Sequence, residues 1–558
     1  MILEKLLNYK NFKNKFLNPK ESNRNNLLKN ISYLLGKISL PKFQDQVFIN
    51  SQVNEYAELR KFESLPQIGR KESDVLDNVA NLLSGGLRFH SPSVMENINP
   101  PTLLSSITTS TITNLFNMNL LWDYVSAGVQ DAEQQIIRQF AKLAGWDPSL
   151  ADGVFTYGGK GCFTYAIRIG LNRCFKDMNS NGVNGRNPVV ITSERSHYII
   201  ENVCSLLGIG KKSCVRVKVQ KDSDQIDLDD FKSTLEKYFS NKTPVATIII
   251  SGGQTINVEL DPVEQMCSIV DDLIKKYQIK YKPFIYFDTV VSWPWMFFKS
   301  YDFKENKLKI TSNSLEKISK IVNKLNSSNL VDGFGTDFHK NGFCPYNNST
   351  FFVKNKSDLH SIFSDEKIIR EREDHGYNFL QHHTLEHSRS SAPVLAAWTT
   401  LQSVGIEGFQ MYVGQLTMVG EVFQKILPTF GFDWINKNTQ CQASVFYVPS
   451  IGGPKTFNEL YNSKSTDVKK ASEYLFKFYK FLLSGGSDPK HPIQVGFLKK
   501  LKSSRLGEDM SAIRIFPMSP FTTLADAKKL ALRIVKLKDE FDNTITLTKL
   551  KVPEVIHK

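Results

Sequence analysis

The sequence predicts an α/β protein whose main unit is a mostly parallel β-sheet with helices on both faces, followed by a smaller α+β unit. Strand-like and helix-like segments alternate from residue 99 to residue 390, which is the pattern of strand–helix–strand units. The strand-like segments are short apolar runs, as expected for strands that are buried on both faces. After Arg389 the alternation stops and long helical segments come first.

The chain divides into three predicted domains. Residues 1–98 are mainly polar with a helical pattern, and Asn99-Pro100-Pro101 ends any helix there, because proline removes a helix hydrogen bond and clashes with the preceding turn. We therefore predict an N-terminal helical segment over 1–98, a large α/β domain over 99–390 and a small α+β domain over 391–558.

The large domain is defined by apolar runs and by helical patterns between them. The predicted strands are 153–157, 189–192, 246–250 and 284–287, and the predicted helices are 132–143, 199–207 and 263–277. In the first of these helices, apolar residues recur at helical spacing up to Leu143, and Gly145 ends the helix. The stretch 304–329 is rich in Asn, Ser and Lys, and we expect it to be an exposed insertion.

The small domain has a different order of elements. Helical patterns at 392–405 and 408–427 precede strand-like runs at 443–448 and 512–516, and an amphipathic helix at 525–541 closes the domain. This order predicts an α+β unit.

Composition excludes several classes of protein. The 558 residues are 41% hydrophobic and 23% charged, which is ordinary for a soluble globular protein. The formal charge is +14, but the basic residues are spread along the chain, so a solvated lysine-rich surface is favoured over a nucleic-acid partner. No apolar run approaches the roughly 18 residues of a membrane span.

The cysteines and the N-terminus predict a cytoplasmic location. The seven cysteines are odd in number and form no C-x-x-C pattern, which favours free thiols in a reducing compartment over disulfides or zinc. The first residues lack the apolar core and cleavage site of a signal peptide.

The strongest chemical signal is the stretch 332–340, Asp-Gly-Phe-Gly-Thr-Asp-Phe-His-Lys, in which Lys340 directly follows His339. An unprotonated lysine amine can form a Schiff base with an aldehyde cofactor. If that cofactor is pyridoxal phosphate (PLP), the chain should also supply a phosphate site, a carboxylate for the pyridine nitrogen and a flat group over the ring. The plain alternative is an exposed turn lysine.

Three upstream features match these needs. Gly158-Gly159 lies between a predicted strand and a predicted helix, where backbone amides bind phosphate, although glycine pairs also occur there for steric reasons alone. His197 follows the strand 189–192, at a sheet edge where ligands gather, but a lone histidine is more often a surface or core residue. Asp288 ends the strand 284–287 and would either bind the pyridine nitrogen or cap a helix.

In this order, the features resemble the group II PLP-dependent amino acid decarboxylases, the family that includes aromatic amino acid and glutamate decarboxylases. The resemblance covers roughly residues 95–405 well and the C-terminal unit loosely. It implies a type I, aminotransferase-like fold with a mostly parallel seven-stranded sheet, a PLP cofactor and a homodimer. The supporting segments are Asp131-Ala-Glu133, Ser196-His197-Tyr198, Asp227-Leu-Asp229, Leu260-Asp261-Pro262 and Leu385-Glu-His-Ser-Arg389 before Trp398.

The resemblance also implies catalytic roles. Lys340 would be the Schiff-base lysine, and His197 would stack on the pyridine ring and assist proton transfer. Asp288 would bind the ring nitrogen. In the family, a mobile loop from the partner subunit carries a tyrosine that returns a proton to the α-carbon, and Tyr377 is the candidate here.

Further binding roles follow in the same way. Gly158, Gly159 and Lys160 would contact the phosphate, with support from His339. Thr255 would lie near the ring. Arg389 would lie near the substrate or brace the site.

Two positions depart from the family pattern. The family usually has Ser, Thr or Ala where Lys160 stands, and an ammonium group there would either reach the phosphate or point to solvent. It usually has Ala where Val290 stands, under the ring. These changes leave the core chemistry in place and affect the choice of substrate and the reaction outcome.

A competing pattern is His383-Thr-Leu-Glu-His387, which fits the zinc-protease motif H-x-x-E-H. Two histidines four residues apart can share a metal on a helix. The loop-like surroundings and the lack of an evident third ligand favour the PLP interpretation, with no metal.

The functional prediction is PLP-dependent decarboxylation of an aromatic or acidic L-amino acid. The alternatives are decarboxylation coupled to oxidative deamination, another PLP carbon–carbon lyase reaction, and a non-catalytic homologue that acts as a binding protein.

Overall fold

The computed structural model describes residues 13–50, 64–96, 99–121, 123–221, 223–254, 256, 258–363 and 384–545. The helices in this part of the chain are α1 (Asn25–Lys37), α2 (Glu72–Leu83), α3 (Leu104–Leu115), α4 (Asp123–Ser126), α5 (Val129–Ala144), α6 (Gly159–Cys174), α7 (Met178–Asn181), α8 (Ile199–Leu206), α9 (Leu228–Ser240), α10 (Val263–Lys276), α11 (Ser312–Leu325), α12 (Phe338–Asn341), α13 (Lys356–His360), α14 (Ala392–Ile426), α15 (Phe457–Tyr461), α16 (Ser465–Ser484) and α17 (Leu524–Ile545).

The strands form two sheets. They are β1 (Val94–Met95), β2 (Asp152–Thr156), β3 (Val189–Ser193), β4 (Cys214–Val217), β5 (Val245–Ser251), β6 (Phe284–Asp288), β7 (Gly333–Asp337), β8 (Ser349–Val353), β9 (Asp433–Trp434), β10 (Ser444–Tyr447), β11 (Gln494–Ser503) and β12 (Asp509–Ile515).

The main sheet has seven strands in the order β2-β8-β7-β6-β5-β3-β4. Strands β3 to β7 pair in parallel with their neighbours, whereas β8 runs antiparallel to both β2 and β7. The expected mostly parallel seven-stranded sheet of the type I fold is therefore confirmed. Because β2 and β7 both oppose β8, they point in the same direction as the other parallel strands.

Helices cover both faces of this sheet. Every residue of β5 and β6 is buried, which is why these strands read as continuous apolar runs in the sequence. On one face, Phe140 of α5 and Ile318 of α11 pack into the larger core. On the other face, Tyr165 of α6 and Val203 of α8 pack against Ile249 and its neighbours.

The predicted exposed insertion at 304–329 is wrong over most of its length. Residues 312–325 form α11, in which Ile318, Ile321 and Leu325 are fully buried. These apolar side chains recur at helical spacing and form one stripe facing the core, while the Asn, Ser and Lys residues that dominate the composition lie mainly on the other faces. Average composition concealed the periodicity.

The second sheet has the order β1-β11-β12-β10-β9 and packs against α16 and α17 in a separate core. Strand β1 lies just before the predicted boundary at residue 98, yet it pairs in parallel with β11. The long helix α14 precedes the sheet and is interrupted at Gly405, whose φ of 64° and ψ of 177° are not helical. The predicted division between two helical segments at this point is confirmed.

No helix within the described residues is long and apolar enough to cross a membrane.

Candidate functional site

The candidate site lies at the edge of the main sheet where the parallel strands end, here called the carboxyl edge. Ligands of open α/β sheets bind at such edges. Asp288 is the last residue of β6 and Asp337 is the last residue of β7. His197 follows β3, and Gly158 follows β2. The parallel pairing thus brings together residues that are far apart in the sequence.

The turn between β2 and α6 has the geometry of an anion site. Gly158 has a φ of 122°, a conformation that side chains disfavour. A Cβ at Gly161 would lie 2.0 Å from Oγ1 of Thr156, so only glycine fits there. The first amides of α6 lack partners within the helix and suit a phosphate group. Lys160 is partly exposed in this first turn.

Lys340 forms an ion pair with Asp337, one turn earlier in the chain. Its Nζ lies 2.6 Å from Oδ2 of Asp337, whose side chain is 2% exposed. The Ser349 hydroxyl donates a hydrogen bond of 2.5 Å to the other carboxylate oxygen. Burial on its own would raise the pKa of Asp337, but Lys340, His339 and the Ser349 hydrogen bond lower it below its usual value.

Asp288 is a buried carboxylate with unused hydrogen-bonding capacity. Its Oδ1 has no hydrogen-bond partner. Burial raises the pKa of Asp288 to about 7, and the nearby Asp337 acts in the same direction, while Lys340 and the backbone amide of Val290 oppose the shift. The side chain of Val290 is itself buried in the core. A cationic donor placed at Oδ1 would stabilise the ionised form of Asp288.

His197 lies at the mouth of the site. Its Nδ1 accepts a hydrogen bond of 3.1 Å from the backbone amide of Ile199. The residue as a whole is exposed to solvent. Partial desolvation of the ring, together with Lys340 and Arg216, lowers the pKa of His197 to about 4, against an opposing effect of Asp337. The ring is therefore neutral at physiological pH.

Arg216 of β4 braces the loop that carries His197. Its guanidinium donates to the carbonyl oxygens of Ser193, Ser196 and His197 at 3.1, 2.8 and 3.3 Å. An ion pair with Glu201 fixes the guanidinium from the other side. Sequence reasoning missed Arg216, because no local pattern connects it with the histidine.

His339 is buried behind the lysine. Its Nδ1 lies within hydrogen-bonding distance of both the carbonyl oxygen and the amide of Asn348, and its ring packs on Tyr346 at 4.1 Å between centroids. Burial lowers the pKa of His339 while Asp337, whose Oδ2 lies 3.7 Å from Nε2, opposes the shift. These contacts fix the turn that carries Lys340.

The guanidinium group of Arg389 is paired with a carboxylate of the same chain. Its guanidinium makes two hydrogen bonds, of 2.6 and 3.1 Å, with the carboxylate of Glu133 on α5. Both side chains are almost fully buried, at 5% and 1% exposure. This pairing favours the bracing role over the predicted contact with substrate, because a substrate carboxylate would have to displace Glu133.

Three predicted positions lie outside the described residues: Thr255, Tyr377 and His383 of the H-x-x-E-H pattern. The glutamate of that pattern, Glu386, accepts hydrogen bonds from Thr156 and Tyr165 next to the glycine turn. Over the part of the chain that the structure describes, no cluster of three His, Cys, Asp or Glu residues is arranged to hold a metal ion.

Asp337 is the main functional candidate that sequence reasoning passed over. It stands three residues before Lys340, a spacing that brings two side chains together on one helical turn, and this was the available signal. Glu133 belongs to the segment Asp131-Ala-Glu133, to which the resemblance assigns no catalytic or binding role. Its pairing with Arg389 depends on the fold and has no signal in the local sequence.

These residues fit PLP on structural grounds. The unpartnered Oδ1 of Asp288 suits a ring N–H, and the first turn of α6 suits a phosphate. Lys340 reaches the same region, since its charge lowers the pKa values of both Asp288 and His197.

The raised pKa of Asp288 predicts that Asp288→Asn increases the stability of the fold by an amount that depends on pH. Between pH 3.8 and about 7 the folded wild-type chain binds more protons at this group than the unfolded chain, so wild-type stability falls as the pH rises. Each pKa unit corresponds to about 1.4 kcal/mol. We expect the cofactor-free variant to melt above the wild type at pH 8, with the difference shrinking towards pH 4. A pH-independent difference in thermal unfolding would contradict the prediction.

The buried pair of Arg389 and Glu133 predicts strong coupling. Arg389→Met leaves an unpaired buried carboxylate and should destabilise the fold by about 3–5 kcal/mol. Adding Glu133→Gln should recover much of that loss, as measured by denaturant unfolding of a double-mutant cycle. A stable R389M protein whose only defect is a raised KM would instead support the substrate-binding role.

Comparison with known proteins identifies a sequence relative. The chain is similar to L-2,4-diaminobutyrate decarboxylase of Acinetobacter baumannii, with 23% identity over 403 residues, which cover 69% of this chain and 72% of the relative. No family model matches the chain.

The fold also matches solved structures. Oryza sativa TDC, solved with PLP and tryptamine, superposes with a TM-score of 0.72 at 14% identity and covers 94% of this chain and 99% of its own. Rhodiola rosea 4-hydroxyphenylacetaldehyde synthase gives a TM-score of 0.69 at 12% identity with the same coverage of both chains. The resemblance of the motifs to the group II PLP-dependent amino acid decarboxylases is confirmed by this similarity in sequence and in fold.

Proposed function

We propose that this chain decarboxylates an L-amino acid with PLP held as a Schiff base on Lys340. The observation that carries the proposal is the convergence of Lys340, Asp288, His197 and the glycine turn at one carboxyl edge. Each of these residues has a plain alternative when it is taken alone. Their juxtaposition supplies the lysine, the ring counter-ion, the flat group and the phosphate site that a PLP enzyme needs.

PLP supplies an electron sink for the bond that breaks at the substrate α-carbon. Asp288 would keep the ring nitrogen protonated, because its buried carboxylate is strongly stabilised by a cationic partner. The carboxylate would thereby maintain the electron demand of the ring throughout the reaction.

The glycine turn would bind the phosphate through the amides of Gly159 and Lys160 at the N-terminus of α6. The positive end of the helix dipole adds to this attraction. The ammonium group of Lys160 offers a further positive charge in the same turn, in place of the small residue usual in the family.

His197 would cover the exposed face of the ring and exclude water from it. Because its pKa is lowered to about 4, the imidazole is neutral and does not repel a protonated pyridine ring. Its Nδ1 accepts a hydrogen bond from the Ile199 amide, so in the neutral ring Nε2 carries the proton.

The substrate class remains the aromatic or acidic amino acids of the sequence-based prediction. The Acinetobacter relative is named for L-2,4-diaminobutyrate, so a short diamino acid belongs beside these substrates in any screen. Val290 would lie under the ring, where the family usually has the smaller alanine. This difference would narrow the range of substrates that the chain accepts.

The second candidate function is decarboxylation coupled to oxidative deamination, which yields an aldehyde. It is favoured by the structural likeness to 4-hydroxyphenylacetaldehyde synthase. The residue that returns a proton to the α-carbon bears on this outcome, and Tyr377 remains its proposed source.

Replacement of Lys340 tests the proposed reaction. We expect Lys340→Ala to lose CO2 release by at least about a thousandfold, a loss of roughly 4 kcal/mol in transition-state stabilisation. Lys307→Ala is the matched control, because that side chain is 74% exposed. CO2 release is measured over the standard amino acids and 2,4-diaminobutyrate with added PLP. Undiminished release by K340A would contradict the assignment.

Product analysis of the same reactions separates the two candidate functions. Simple decarboxylation yields the amine, whereas the coupled reaction consumes O2 and yields the aldehyde and ammonia. A PLP-loaded protein that turns over no amino acid would instead support the non-catalytic alternative.

We further propose that the partner is a second copy of this chain. Helices α1 to α3 expose large apolar side chains that a single copy leaves uncovered. The most exposed examples on these helices are Leu28, Leu35, Leu82, Leu104 and Ile112. A homodimer would bury them against equivalent helices, and the active-site loop of the family comes from the partner.

Charged residues on these helices should weaken the homodimer. Leu104→Glu replaces a side chain that is 80% exposed, so it should leave the folded chain intact and shift the mass in solution from dimer towards monomer. Sedimentation measures the mass, and Leu506→Glu is the control, because this leucine is 61% exposed and lies in the turn between β11 and β12, away from these helices. A wild-type chain that is monomeric at micromolar concentration would contradict the proposal.

The domain limits 1–98, 99–390 and 391–558 remain proposals, as does the cytoplasmic location. All seven cysteines are free, which supports a reducing compartment. The pairing of β1 with β11 indicates that the end of the first segment folds together with the small domain.

A further inference from the structure

We propose that Asp337 is a positioning residue that holds the amino group of Lys340 and stabilises positive charge on that nitrogen, both before and after the cofactor is bound. The inference rests on the proposed function, in which Lys340 carries PLP. It adds a counter-ion for the lysine nitrogen to the ring counter-ion Asp288.

The geometry separates the two buried carboxylates. Asp337 is in ion-pair contact with Lys340 at 2.6 Å, whereas Asp288 has an unpartnered oxygen that suits the ring. The Ser349 hydroxyl fixes the Asp337 carboxylate at 2.5 Å from β8. Asp337 is thus held by the sheet and does not depend on the lysine for its position.

Asp337 also borders the phosphate turn. A Cβ placed on Gly159 would lie 3.4 Å from its Oδ2, so the carboxylate reaches from the lysine to the glycine that opens α6. A negative charge at this position would oppose a phosphate unless a cation neutralises it. Lys340 is that cation, which explains why the ion pair and the phosphate turn are adjacent.

Several titratable groups surround Asp337. They are Lys340 and His339 on α12, Asp288 and Tyr286 on β6, Cys162 on α6, Tyr346 and His197. The cationic partner in direct contact is Lys340. His339 is the rival, because its Nε2 lies 3.7 Å from Oδ2, but burial favours its neutral form.

The test is the pH titration of the visible absorption band of the PLP-loaded protein, which reports whether the lysine nitrogen is protonated. Asp337→Asn keeps the shape of the side chain and removes its charge. We expect the midpoint of the titration to fall by about one pH unit or more, since a carboxylate within about 4–6 Å of a cation shifts its proton equilibrium by that much. Asp337→Glu should bring the midpoint part of the way back to the wild-type value, whereas His339→Gln should move the midpoint less than Asp337→Asn does.

A midpoint that is unchanged in D337N, or that moves in H339Q and not in D337N, would overturn the inference.

If D337N fails to fold, Ser349→Ala decides the question. It removes a donor from the same carboxylate, leaves more negative charge for the lysine and should raise the midpoint; no change or a fall would overturn the inference. A wild-type protein with no cofactor attached to Lys340 would instead contradict the proposed function, so the two failures are distinguishable.

Discussion

The parallel pairing of β3, β5, β6 and β7 is the constraint on which the site depends. Parallel strands end at one edge, and the residues that follow them must share that edge. Asp288 and Asp337 end adjacent strands, and His197 follows another. Helices bury these strands from both faces. Asp288 and Asp337 are therefore held by the sheet itself, whereas His197 and Lys340 are carried by the short segments that follow the strands.

Charge balance is the second requirement at this edge. Two buried carboxylates, Asp288 and Asp337, lie near one lysine, and burial opposes the charge of each. Lys340 satisfies Asp337 directly, and Asp288 retains an oxygen without a partner. The free oxygen of Asp288 can therefore accept a hydrogen bond from a cationic donor, and a protonated pyridine ring is such a donor. Away from the edge, the buried charges of Arg389 and Glu133 neutralise each other in an ion pair within the chain.

Much of the fold and part of the site follow from the sequence because they depend on local pattern. Apolar runs predicted the strands β5 and β6, and Gly145 predicted the end of helix α5. The order of the motifs along the chain predicted the fold type. Helix α11 was missed because its polar composition concealed an apolar stripe. The partners of Arg389 and His197 were not predictable, because Glu133 and Arg216 reach them only through the tertiary structure. A role for Asp337 was predictable, because its spacing from Lys340 places both residues on one helical turn.

The proposed reaction depends on attachment of the cofactor to Lys340. The most direct measurement is reduction of the PLP-loaded protein with borohydride, followed by digestion and mass spectrometry of the labelled peptide. We expect one reduced cofactor per chain on the peptide that contains Lys340, with none on Lys160 in the phosphate turn. Attachment to another lysine, or binding of PLP without a reducible linkage, would contradict it.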